Sequence, residues 1–347
     1  MVYTINRRSF LKQVGAGVAL GALPVSGVAR AAGPDFLAIG AGPSGGVFNI
    51  IATGIADVLR NTYPDTIIDV QPGGSGPNLL RVQARQADLG LTSASNAWDA
   101  WQGKDPATPE APIRKTRGLM SLMQSAIQIF VDANSDIHSL EDLRGKQISA
   151  GQPGQTSWLA FQALLDAHGM TIEDIEQDGG AMRELSWSES HNALRNGQLD
   201  AVMWLSLYPH PTVRETETAR PIRTLSFDSA AIDRFMEATG GGYEKVTLPK
   251  GLYGGQSEPA DTVGTTTFLF ASDDMSDETA RQIVEAIWTN RESFKSVHAL
   301  LAGMSEETVG RGMAVPLHPG AAAFYEENGI PVSASMLSVD GSGSSKG

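Results

Sequence analysis

Apolar residues along the chain switch between two periods. Short apolar, strand-like runs occur at 36–42 (FLAIGAG), 66–72 (TIIDVQP) and 87–94 (ADLGLTSA), and they lead into Gly, Pro or Ser. Between them the spacing is helical. In residues 47–61 the apolar positions fall at 47, 50, 51, 55, 58 and 59, one stripe of a helix that Ser44 is placed to cap. Residues 78–87 predict a short helix carrying Leu79, Leu80 and Val82, and residues 117–135 predict one or two further strands. The pattern then restarts. Residues 139–169 read as a short helix, a strand, a Gly-rich turn and a helix with Trp158, Phe161, Leu164 and Leu165 on its apolar face, capped by Gly169. A helix and strand follow at 188–206, a β-rich run at 263–274, one long helix at 276–302 and a last helix at 319–328. Such alternation predicts an α/β fold with a mostly parallel sheet, arranged as two α/β lobes.

The first 32 residues stand apart from this pattern. Arg7 and Arg8 precede Phe10, Leu11 and Lys12, then a mildly apolar run from Val14 to Val28, then Ala29-Arg30-Ala31. A charged start, a short apolar stretch and a small-x-small site predict a cleaved export signal of twin-arginine type, with Asn6 where Ser or Thr usually stands. Glycines at 15, 17 and 21 and Pro24 interrupt the run too often for a membrane span. Cleavage at Ala31 or Ala32 would remove four of the 26 basic residues and none of the 39 acidic ones. That leaves 22 against 39, a net charge of −17. Such a surface disfavours nucleic acid and anionic lipid, and says nothing against a small anionic ligand held by local groups. With no cysteine in the chain, thiolate zinc sites, disulfides and thiol nucleophiles are excluded. The expected place of the mature chain is the periplasm, without membrane insertion.

Gly40, Gly42 and Gly45 fit G-x-G-x-x-G after a strand, the spacing of a dinucleotide-binding turn. The acidic residue required about 20 positions further on is missing; Asp69 lies beyond that distance. Two other turns share the design. Gly73, Gly74 and Ser75 lead into a helix with Asn78 in its first turn, and Gln155, Thr156 and Ser157 lead into another. Glycine lets backbone approach a ligand, and a helix N-terminus offers free N–H groups to an anion, carboxylate included. One such turn is an ordinary capped loop; three of them at strand ends favour a ligand cleft.

GAGPSGGVFNIIATGIADVL, IIDVQPGGSGPNLLRVQARQADLGLTSASNAWDAW, SLEDLRGKQISAGQPGQTS, ALRNGQLDAVMW and VPLHPGAAAFYEENG occur in this order. Together they resemble the TAXI family, the extracytoplasmic solute receptors of tripartite ATP-independent periplasmic (TRAP) transporters. The resemblance runs from about residue 36 to 329. It implies a type II periplasmic-binding-protein fold, with lobe I at 33–124 plus 272–335, lobe II at 125–271, a hinge near 122–130 and 264–272, and a flexible tail at 336–347. It implies a receptor, not an enzyme, with no cofactor. Its partners would be a small organic acid (a dicarboxylate, a 2-oxo acid or a glutamate-like molecule) and the membrane subunits of a TRAP transporter. Carried over by position, the contacts are Ser44, Gly45, Val47, Phe48, Gly74, Ser75, Asn78, Ser93 and Ser95 from one lobe. Gln155, Thr156, Ser157, Trp204 and Ser206 come from the other. The family commonly has an acid where Ser95 stands, so its loss favours a ligand without an amine. The family's aromatic pair is Val47-Phe48 here, and its Gly-Ser-Gly-Thr loop is Pro153-Gly154-Gln155-Thr156.

Other residues add less. Tyr253, in a Gly-rich loop with Gln256, is a further ligand candidate. Tyr208 and His210 in LYPHP read either as the mouth of the cleft or as a Pro-bounded loop. Of the tryptophans, Trp158 reads as core and Trp204 as a cleft wall. Arg81, Arg85, Arg183 and Arg195 are available as carboxylate partners, and none is singled out. G-x-S-x-G and H-E-x-x-H are absent and the six histidines are dispersed, His318 reading as a turn residue. Three alternatives remain at this level: a receptor for an ATP-driven transporter, a receptor for a sensor partner, and an exported nucleotide-dependent oxidoreductase.

Overall fold

A computed structural model describes residues 33–104, 111–153 and 156–332. The export signal, Gln155 and the tail lie outside the described residues. The first three strands, β1 (Phe36–Gly40), β2 (Ile67–Gln71) and β3 (Leu89–Ser93), alternate with α1 (Val47–Thr62) and α2 (Ser75–Gln83), as the spacing predicts. Helix α3 (Ala94–Gln102), which the pattern missed, starts directly after β3, because Ser93 accepts the Asn96 N–H and caps it. Ser44 caps nothing: the residue before α1 is Gly46, with no side-chain cap.

The run at 117–135 forms one strand, β4 (Thr116–Asp132), 17 residues long. Next come β5 (Gln147–Ser149), α4 (Thr156–Ala167), α5 (Ile172–Glu176), β6 (Ala181–Met182), α6 (Trp187–Arg195) and β7 (Ala201–Leu207). These are followed by α7 (Pro211–Glu217), β8 (Ile222–Thr224), α8 (Ser229–Thr239) and β9 (Glu244–Leu248). The chain returns along β10 (Ala260–Ser272) and ends in α9 (Asp277–Thr289), α10 (Arg291–Lys295), a 3-10 turn at Ala299–Gly303 and α11 (Pro319–Glu327). The long helix predicted at 276–302 is therefore three pieces. It breaks at Asn290, whose φ of −97° and ψ of 16° are non-helical, and whose side-chain amide donates to the Ala286 carbonyl.

The sheet runs β2-β1-β3-β10-β4-β7-β5-β6. Its flanks are parallel, but β10 pairs antiparallel with β3, β4 and β9, and β4 antiparallel with β7 and β8. The expectation of a mostly parallel sheet thus fails at its centre, where the two longest strands run side by side. In their pairing Thr267 faces Met123 but Phe268 faces Ser121, and Leu269 faces Met120 but Phe270 faces Gly118. Leu122 and Leu119 are extra residues on β4, two bulges that bend and twist the strand at its middle.

Three apolar clusters form around this pair. The first draws on residues 37–123 and 268–330; the other two draw on residues 126–263. Each long strand feeds the first cluster with one half and the others with the other half. On the return strand Phe268, Leu269, Phe270 and Ala271 pack in the first cluster, and Ala260 and Val263 in the others.

Candidate functional site

The turns singled out in the sequence are built around Asn78. Its side chain is fully buried, and its amide nitrogen lies 3.0, 2.8 and 2.8 Å from the carbonyls of Gly40, Ala41 and Leu91. A Cβ on Gly40 would come within 2.7 Å of the Asn78 amide oxygen, and one on Gly73 within 2.1 Å. A Cβ on Gly42 would press on Phe48 at 2.8 Å. Two glycines of the nucleotide-like spacing are thus required by the chain's own side chains. Only Gly45, at φ +77° with open space around it, is a glycine for its backbone.

The structure brings three predicted hydroxyls together. Ser75 Oγ accepts the Ser93 N–H at 3.3 Å, and Ser93 Oγ lies 3.1 Å from Ser95 Oγ. Ser95 is buried and covered: its N–H donates to Thr265 Oγ1, which donates to the Gly242 carbonyl, and its side chain bonds Tyr243. Burial pushes the Tyr243 phenol up to about 12, the Ser95 bond opposing it in part. Ser44 and Gly45 are exposed, Gly74 precedes α2, and Phe48 is half-buried against the first core.

In the second half of the chain Thr156 is exposed, and Ser157 is buried with its Oγ accepting the Leu205 N–H at 3.2 Å. Ser206 and Tyr253 are not presented to a cleft. Gln128 Nε2 donates to Ser206 Oγ at 2.9 Å, and the Tyr253 hydroxyl donates to Gln128 Oε1 at 2.6 Å. Tyr253 is 0% exposed, edge-on to Phe130, and its phenol is pushed far up by burial. Both expectations give way to one reason: the buried amide of Gln128 on β4 engages both hydroxyls, Ser206 on β7 and Tyr253 in the loop before β10. Trp204 is half-buried, 5.0 Å from Trp187, whose ring also lies 4.2 Å from His210 and 4.3 Å from His191. Trp158 packs in another cluster. Burial drives His191 down to about 3, with His210 adding to it.

The arginines weighed for a carboxylate are engaged. Arg85 pairs with Asp274 at 2.5 Å, Arg81 donates to the Pro72 carbonyl, Arg183 to Gln147 and Arg195 to Asn192.

A cavity of about 750 Å³ lies over the bulged segment of β4. Val47 at the head of α1, residues 121–124, Thr266 and residues of the 298–311 stretch line it from the side of the first core. Tyr208, Pro209, His210 and Glu244 also line it, as does Leu207, which packs against the first core. Its polar floor is one network. Tyr208 donates to Gln124 Oε1, Gln124 Nε2 donates to Glu244 Oε1 at 2.8 Å, and Thr266 Oγ1 donates to the same oxygen at 2.9 Å. Burial, and then the Glu244 charge, raise the Tyr208 phenol to about 12, which keeps it a donor. Burial lowers His210, with His298 adding to it. Of these lining residues the sequence pointed to Val47 as a contact, and left Tyr208 and His210 open between a cleft mouth and a Pro-bounded loop. It missed Gln124, Glu244, Thr266 and Arg311, which lie far apart in the chain and in no motif. Among the described residues no group of His, Asp and Glu is arranged to hold a metal ion.

The profile of the NMT1-like family matches residues 39–329. The chain belongs to the NMT1-like family. Among solved structures, this NMT1-like chain is similar to a TctC solute-binding protein from Polaromonas, with a TM-score of 0.55 and 15% identity over 85% of this chain and 98% of that one. It is also similar to the periplasmic aliphatic sulphonate binding protein SsuA from Escherichia coli, with a TM-score of 0.44 and 17% identity over 87% and 83%. At 15% identity the likeness to the Polaromonas protein is one of fold: mixed α/β, of the periplasmic solute-binding type.

Proposed function

We propose that this chain is an extracytoplasmic solute receptor of the TAXI type, which captures a small organic acid and delivers it to a TRAP transporter. The observation that carries this reading is the 750 Å³ cavity over the bulged strand pair, lined by residues packed with the first cluster, such as Val47 and Leu122, and by Tyr208, packed with the third. Its size suits a small molecule. Two lobes, built on the separate apolar clusters, hinge about β4 and β10 and close over the solute. A carboxylate meets the N-terminal end of α1, which has no side-chain cap and no acid in its first turn. Closure is driven by the solute's greater affinity for the closed form.

A thermal-melt screen of the purified chain tests this. A bound acid at about 100 times its dissociation constant adds about 2.7 kcal/mol, a rise of several degrees. A rise with a nicotinamide dinucleotide and with no small acid would overturn the reading. Export by the twin-arginine route predicts that Arg7→Lys with Arg8→Lys leaves the chain unprocessed in the cytoplasm, read by fractionation. The TRAP assignment predicts uptake in proteoliposomes that an ion gradient drives and ATP does not.

A further inference from the structure

We infer that His210 and His298 are the two donors that hold the solute's acid group, and that capture of the acid takes up a proton; this rests on the receptor reading above. Three histidines cap helical turns in the same way. His210 Nδ1 accepts the Thr212 N–H and His298 Nδ1 accepts the Leu300 N–H, each at 3.2 Å, and His318 Nδ1 accepts the Gly320 N–H at 3.3 Å. A ring nitrogen that accepts carries no proton, so in the neutral ring Nε2 carries it and is a donor. In His318 that donor is engaged: Nε2 lies 3.0 Å from the Met275 carbonyl, and the residue is buried. In His210 and His298 Nε2 has no partner among the described residues. Both residues are half-buried, and both line the cavity. Asn, Ser or Asp would cap as well. What imidazole adds at these two positions is a second, unengaged N–H.

The two rings belong to different cores. His210 lies 4.2 Å from Trp187, which packs against the third cluster. His298 stands in sequence between Phe294 and Leu301 of the first cluster, and its neighbour Val297 packs on α1, where a Cβ on Gly54 would meet it at 2.8 Å. An acid bound to both rings ties the first core to the third. A metal ion would need a ring lone pair, and both Nδ1 lone pairs are committed to backbone N–H groups, so the pair suits an anion.

Charge sets the pH dependence. In the free chain burial, and then His298, lower His210, so its ring is neutral near pH 7. An anion against Nε2 favours the charged ring and raises it again. On α7 itself Arg214 pairs with Glu217. From β7 comes Tyr208, raised to about 12, and from α6 His191, driven down to about 3. Glu189 and Arg195 on α6 are exposed and engaged with Ser186 and Asn192, and Arg223 on β8 donates to the Ser135 carbonyl. Glu244 on β9 accepts from Gln124 and Thr266. Beside His298, Lys295 pairs with Glu292, and Glu307 and Arg311 line the cavity, both exposed. An acid held by Arg311 alone would bind with no proton uptake, because a guanidinium keeps its charge. Proton uptake therefore separates the two modes.

Calorimetry on the purified chain tests this with pyruvate, 2-oxoglutarate and L-glutamate, whose acid groups stay ionised above about pH 5.5. Each is titrated in two buffers of different ionisation enthalpy, so that a proton taken up on binding appears as a difference in heat. For an acid that binds, affinity rises at least about threefold from about pH 7.5 to about pH 6, within the limit of about tenfold per pH unit for each proton. His210→Asn and His298→Asn keep a capping oxygen for Thr212 and Leu300 and lose the second donor. Each lowers the affinity at about pH 6 by about tenfold, the scale of one hydrogen bond to an ion. His210→Asn also abolishes the buffer difference, and Glu244→Gln keeps it. A bound acid with equal heats in both buffers, or with uptake that survives both histidine variants, overturns the inference and leaves the receptor reading standing. If none of the three acids binds at either pH, both fail. Melting point and circular dichroism check folding, and the wild-type heats with His298→Asn decide even if His210→Asn does not fold.

Discussion

At the scale of single residues, the side chains that look like ligand contacts divide by what else can satisfy them. Asn78 stands in a Gly-rich turn, and the structure spends its amide on three backbone carbonyls. Replacing Asn78 by Ala orphans those acceptors and opens a hole beneath Gly40 and Gly73. We expect a loss of roughly 3 kcal/mol or more, read by urea denaturation. Titration makes a second prediction. His191 is held neutral, its pKa lowered from 6.5 to about 3, and His210 and His318 are lowered as well, all first by burial. Each binds a proton in the unfolded chain that it refuses in the folded one. Their stability is full above pH 6.5 and is lost as the pH falls below it. Each proton contributes a slope of about 1.4 kcal/mol per pH unit. The carboxylates with lowered values, Asp142, Glu189, Asp228 and Asp274, act in a more acidic range. His191→Phe should therefore flatten the decline of unfolding free energy between about pH 6 and 4.5, by about one proton. Neither ring nitrogen of His191 has a partner among the described residues, so Phe leaves none orphaned. An unchanged slope would refute this assignment.

At the scale of elements, period and punctuation made the short strands and amphipathic helices legible. The 16-residue α1 and the 9-residue α11 stand within a residue of their predicted bounds. What failed was long or uninterrupted pattern. A strand-like run of 17 residues does not say whether it turns back or runs on, and β4 runs on because β10 offers it a partner along much of its length. Helical periodicity through 276–302 did not mark Asn290, because a break leaves the apolar stripe largely in place. Gly264 lies where β10 is held between β4 and β9. A Cβ there would sit 2.6 Å from both the Ser125 carbonyl and Val246 Cγ2. Gly264→Ala should cost about 1–3 kcal/mol by overpacking. Because Gly264 is the ladder partner of Glu244, it should also weaken solute binding. A variant of unchanged melting temperature and affinity would show that the strands yield at this point.

At the scale of the molecule, the proposal is a movement. The chain contains no cysteine, so a labelled pair can be introduced without background. Leu80 on α2 and Leu159 on α4 are both exposed, at 42% and 48%. Spin labels at Leu80→Cys and Leu159→Cys should move closer, and their distance distribution should narrow, on adding the acid found in the melt screen. Binding with no change in distance would mean a preformed cavity and would remove closure from the mechanism.

The sequence by itself determined the α/β class, the glycine turns at strand ends, the absence of thiol chemistry and the acidic charge. Each of these is local or a sum over residues, so order along the chain is enough to read it. Only the tertiary structure decided which hydroxyls face inward and which strands cross at the centre. It also decided that Gln124, Glu244 and Thr266 meet. Their hydrogen bonds join residues 120 and 22 positions apart. Contacts of that kind depend on strand register, and a shift of a single residue would turn each side chain to the opposite face.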